Sequence, residues 1–274
     1  MKRSGSKLLC ILLLLSLLLS LTACGKPETQ LEKTAGYLQA QIAEPGTGSV
    51  GGDWLIFGLA RSGVKVPQKY FDAYYENVEA AVREKNGVLS DRKYTEYSRT
   101  VLALTAIGKN PADVAGFDLL KPLADFEQVT RQGINGTIFA LLALDSGNYE
   151  IPENPDAAVQ ATRQMYVDEL LARALPDGGY VSWGSSNSES VAQVIVALTE
   201  LGVPLDDERF TKNGITVEDA LLRFAQENGA FVHVRDGSGG DDGMATEQAF
   251  YALAAIHRAE TGETTLYDMT DVMQ

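Results

Sequence analysis

Five strongly apolar segments recur along the chain, at residues 53–62, 94–107, 137–144, 191–201 and 244–258. No other feature restricts the fold as much. Each carries an Ala/Gly-Leu pair near its C-terminal end, and the leucines of those pairs are Leu59, Leu104, Leu144, Leu198 and Leu253, spaced 45, 40, 54 and 55 residues apart. Four of the segments are closed by a glycine (Gly63, Gly108, Gly147, Gly202), the residue that ends helices most readily because it accepts positive φ. A helix that is apolar nearly all round must be covered on most sides.

Between these segments lie helices of a second kind. Residues 70–85 place Phe71, Tyr74, Tyr75, Val78 and Val82 on one face and charged residues on the other. Residues 31–42, 156–175 and 217–227 read the same way, with a cap at Asn154 and Pro155 in the first turn of the helix over 156–175. Helical turns are expected near Leu119 and over 123–129, and a last short helix over 266–272. An apolar helix alternating with an amphipathic one at a period of 40–55 residues predicts stacked helical hairpins. Inner helices without a wet side suit a closed ring better than an open solenoid. The expected fold is therefore all-α, an α/α toroid of about five to six hairpins over residues 31–274.

The N-terminus reads differently. Lys2, Arg3 and Lys7 precede a leucine-rich run over 8–21, too short to span a bilayer comfortably. Leu21-Thr22-Ala23-Cys24 then resembles the bacterial lipoprotein signal, which implies a signal peptide over 1–23 and a lipidated Cys24. Residues 24–30 are then a tether, and the domain is held on the outer face of the cell membrane. Without the leader, 20 of the 23 basic residues stand against 37 acidic ones, a net charge of −17. Such a surface repels phosphate backbones, so no nucleic-acid partner is expected. Cys10 and Cys24 are the only cysteines, which leaves the domain without a disulfide or a thiolate metal site.

The clearest copy of the unit is residues 176–202, PDGGYVSWGSSNSESVAQVIVALTELG: a turn, an aromatic extended piece, a polar loop with Asn187 or Ser188 as cap, then the apolar helix. Asp177-Gly-Gly-Tyr180 followed by 188–195, and Asn228-Gly-Ala-Phe231 followed by 246–253, resemble the repeat of prenyltransferases and squalene or terpene cyclases. The resemblance implies an inner ring of helices inside an outer one. The same toroid is similar to cobalamin carriers and complement thioester domains, so a corrinoid is one ligand it implies. The catalytic signatures of those families have no counterpart here. Gly240-Asp241-Asp242-Gly243 and Pro204-Leu205-Asp206-Asp207 do not match the cyclase Asp-x-Asp-Asp, and no cysteine is present for prenyltransferase zinc or for a thioester at residues 244–248. The expectation is a binding protein for a large, partly apolar small molecule, without a cofactor. An isoprenoid-directed enzyme and a scaffold for a surface protein partner are the alternatives.

Counted five residues before each marker leucine, Trp54, Arg99, Phe139, Gln193 and Gln248 share one register, and a ring of them would face a common interior. Tyr180, Trp183 and Tyr251 complete the candidate ligand-binding set. Asp241, Asp242 and Glu247 gather at one helix start, where capping is the expectation and Ca²⁺ ligation the alternative. The two histidines, His233 and His257, lie at no ligand spacing from a cysteine or carboxylate, and structural roles are expected of both.

Overall fold

The computed structural model describes residues 28–173 and 187–272, apart from 201, 209, 212 and 237–239. The lipidation position Cys24 and the candidates Tyr180 and Trp183 lie outside the described residues. Ten α-helices carry the described chain, and it contains isolated β-bridges but no strand. They are α1 (Gln30–Gln41), α2 (Trp54–Arg61), α3 (Gln68–Glu84), α4 (Thr95–Ala106), α5 (Phe126–Thr130), α6 (Ile134–Ser146), α7 (Arg163–Arg173), α8 (Ser188–Glu200), α9 (Val217–Leu222) and α10 (Gly243–Thr261). None of the described helices is both long and apolar enough to cross a membrane.

The even-numbered helices are the five apolar segments. In α4, every residue from Tyr97 to Ala106 is buried. In α10, Gln248 is the one residue between Ala245 and Ile256 that is not. All five marker leucines are buried. α2 packs on α4, α4 on α6, α8 on α10, and α10 on α2, so the last apolar helix lies against the first. The odd-numbered helices flank them: α1 on α10, α5 and α7 on α6, α9 on α8. α3 turns Tyr74, Val78 and Val82 inward, one residue per turn along a single face.

The structure corrects the sequence expectation at four places. Residues 156–162 are not helical. Phe126 N–H donates to the Val159 carbonyl (2.9 Å) and Ala161 N–H to the Ala124 carbonyl (2.7 Å), so this stretch pairs with the one entering α5. Asn154 closes a turn onto Asp156 N–H instead, and Thr162 Oγ1 accepts from Met165 N–H as the cap of α7. α9 ends at Leu222, because Phe224 and Gln226 take up Val232 and Ala230 in a small chain reversal about Asn228-Gly229. Residues 266–272 are irregular, since their carbonyls are taken by Arg61. Finally, α8 is not covered all round: Gln193, Val194 and Ala197 form an exposed stripe, with Val194 43% exposed.

Candidate functional site

Residues 42–53 connect α1 to α2 through two tight turns. Gly48 and Gly51 hold φ of 101° and 72°, and a Cβ at Gly52 would lie 2.7 Å from the Gly46 carbonyl oxygen. Only glycine fits that close approach. The packing delivers Asp53 into the interior at the start of α2, where its side chain caps nothing. Its carboxylate is wholly buried and accepts from Tyr74 Oη (2.6 Å), Arg99 Nε (3.0 Å) and Thr100 Oγ1 (3.2 Å). Burial pushes the Asp53 carboxyl up, against the charge of Arg99 and these three donors. The Arg99 side chain is thus engaged by Asp53, with Glu96 Oε2 a further 4.0 Å away from its other end.

Glu247 of α10 faces the same turn. Its Oε1 accepts from Gly51 N–H at 2.6 Å, and its buried Oε2 has no hydrogen-bond partner. Burial pushes this carboxyl up to about 7. The nearby Asp53 charge adds to the rise, and the Gly51 bond and Arg99 act against it. Sequence reading grouped Glu247 with Asp241 and Asp242, but the three separate. Asp242 caps α10 through Ala245 N–H (2.8 Å), and Asp241 accepts from Asn228 Nδ2 (2.8 Å) and Tyr37 Oη (3.4 Å). Among the described residues no three His, Cys, Asp or Glu side chains are gathered as metal ligands.

Beside Asp53 and Glu247 in sequence, Trp54 and Gln248 meet the register residues of two further helices. The Trp54 ring lies 5.5 Å from that of Phe139 and 5.6 Å from that of Tyr251, centroid to centroid. Gln193 Nε2 donates to the Tyr251 hydroxyl and lies 3.5 Å from Gln248 Oε1, and Tyr251 Oη in turn lies 3.4 Å from Gln248 Oε1. Side chains from α2, α6, α8 and α10 therefore form one aromatic and amide cluster. Trp54 and Tyr251 are buried, Phe139 and Gln248 half-buried, and Gln193 exposed. The aromatic contacts run on from Tyr251 through Phe57 to Tyr267, the last two stacked at 5.1 Å. A surface with aromatic faces below and amides at its rim can stack an apolar ring and hydrogen-bond its polar edge.

The two histidines make other contacts. His233 Nδ1 is 2.9 Å from both Glu189 carboxylate oxygens and ties the loop before α10 to the start of α8. His257 packs beside Gly63. Sequence reading missed Asp53, Tyr74 and the inward turn of Glu247. One signal was available: an arginine in the middle of an apolar helix requires a counter-charge. No family model, no curated protein and no solved structure matches this chain.

Proposed function

We propose that the chain is an exported, lipid-anchored α/α toroid that binds a large, partly apolar small molecule over the Trp54–Phe139–Gln193–Gln248–Tyr251 cluster. Support for the ring comes from the packing of α10 against α2, which brings the two ends of the apolar series together. The observation that carries the binding reading is the graded exposure of the cluster: buried aromatic rings behind, half-buried Phe139 and Gln248, exposed Gln193 in front. Candidate ligands are corrinoids, haem and polyprenyl lipids. Thermal-shift measurements with each should raise the melting temperature of the wild type. Gln193→Ala, on an exposed position, should weaken binding about tenfold while leaving the unliganded melting temperature within a few degrees. A folded protein stabilised by none of the three classes would reject this reading.

One observation favours a second reading, an enzyme acting on an isoprenoid-like substrate. Glu247 is a carboxyl held near neutrality with one oxygen unpartnered, as proton donors in active sites are. Under this reading Glu247→Gln abolishes product formation from a polyprenyl substrate and leaves binding intact. Under the binding reading there is no product to lose.

A further inference from the structure

Residues 264–272 reach the C-terminal end of every one of the five apolar helices. Arg61, the last residue of α2, donates to the carbonyls of Thr265 (2.9 Å), Leu266 (3.0 Å) and Asp268 (2.7 Å). A Cβ placed on Gly108, just past α4, would lie 3.7 Å from Val272 Cγ1. Met269 N–H donates to the carbonyl of Ser146, the last residue of α6 (3.1 Å), and Tyr267 N–H to Oε1 of Glu200, the last residue of α8 (3.1 Å). Arg258, in the last turn of α10, donates to the Thr264 carbonyl (2.7 Å). Apart from α10, these partners stand 67 residues or more back along the chain. We infer that the C-terminal ends of these helices together form a peptide-binding face, and that the chain fills it with residues 264–272 as a plug recognised by its side chains.

Three features make this segment a ligand of the face rather than a mere continuation of α10. Leu266, Tyr267 and Met269 are buried while Asp268 and Thr270 stay exposed, so particular side chains are taken up and others left out. Arg61 and Arg258 are buried and converge on Asp271, at 2.7 and 2.8 Å. With the face empty, these two guanidinium groups would lose the carboxylate they share, so the face selects an anionic peptide. The connection to α10 makes no comparable demand, since Gly262 is exposed and has open space around it. The inference does not rest on ligand binding at the aromatic and amide cluster. That cluster lies toward the N-terminal ends of the same helices: Trp54 opens α2, and Phe139, Gln193 and Gln248 are each the sixth residue of theirs. The stacking of Phe57 on Tyr267 joins the two regions.

The test uses the full chain with a protease recognition sequence inserted between Gly262 and Glu263, cut after folding, with the uncut form as the folded reference. The severed peptide should stay with the body through gel filtration. A fluorescent peptide of residues 263–274 should replace it saturably, read by anisotropy. The same peptide carrying D271N should compete about tenfold less well, because it loses charged hydrogen bonds to both guanidinium groups. A scrambled peptide of the same composition, and so of the same charge, should not compete. A body that unfolds on cutting, a folded body that sheds its peptide, or competition by the scrambled or the D271N peptide equal to that of the native one would each overturn the inference.

Discussion

Glu247 is held in surroundings that disfavour its ionised form, and this has a measurable consequence. A carboxyl raised from 4.5 to about 7 binds its proton more tightly in the folded chain than in the unfolded one. The stability this contributes is fully present below pH 4.5 and is lost as the pH rises through about 7. The full effect is on the order of 3 kcal/mol. Glu247→Gln keeps an acceptor for Gly51 N–H and removes the titration. Urea unfolding from pH 4 to 8 should therefore give a wild-type stability that declines relative to the variant between about pH 4.5 and 7, then runs parallel to it. A constant difference across that range would show that Glu247 titrates normally. The residues of this region were only partly legible. Trp54, Phe139, Gln193 and Gln248 share a register because the marker leucines fix the phase of each helix, and side chains of equal phase on packed helices point the same way. The Asp53–Arg99–Tyr74 group is built across up to 46 residues of sequence, and no periodicity encodes such a pairing.

At the scale of elements, the apolar helices were read within a few residues of their bounds because burial on nearly all sides leaves an unbroken apolar run. The amphipathic ones were read less well. Asn154-Pro155 and Thr162 are both sound caps for α7, and backbone pairing of 159–161 with 124–126 decides for the second. The tail at 266–272 could not be read as irregular, because what stops it from coiling is an arginine on α2. Close approach between elements is testable at Gly229, which lies in the turn before α10 with φ of 95°. A Cβ there would meet the Lys33 carbonyl oxygen of α1 at 2.7 Å. Gly262, the left-handed cap of α10, has φ of 70° and open space around it. Gly262→Ala should cost about 1–2 kcal/mol, the conformational penalty alone. Gly229→Ala adds a backbone collision and should cost about 2–4 kcal/mol. Equal midpoints for the two variants in urea would mean that α1 does not pack on this turn as described.

For the whole molecule, the decisive contact joins the two ends of the apolar series. Arg61 ends α2 and Arg258 lies in the last turns of α10; both are buried, and they share Asp271, at 2.7 and 2.8 Å. Arg61 also donates to the carbonyls of Thr265, Leu266 and Asp268, and Arg258 to those of Thr264 and Arg61. Burial alone would raise the Asp271 carboxyl, but hydrogen bonds from Arg61, Thr264 and Arg258 and the charge of Arg61 outweigh it and pull it down to about 2. Its contribution to stability is therefore present above pH 3.8 and lost as the pH falls through about 2. Asp271→Asn leaves two buried guanidinium groups facing one neutral amide. The cost should be about 1–3 kcal/mol, limited by the partial exposure of Asp271, and the melting temperature should fall by about 2–4 °C for each kcal/mol. If the first and last apolar helices belong to one closed ring, the loss is felt everywhere at once, and unfolding of the variant at pH 7 remains a single transition moved to lower temperature. If they are merely neighbours, the C-terminal hairpin melts first. Hydrogen exchange on the variant then shows α8 and α10 opening while α2 and α4 stay protected, which would end the case for a ring.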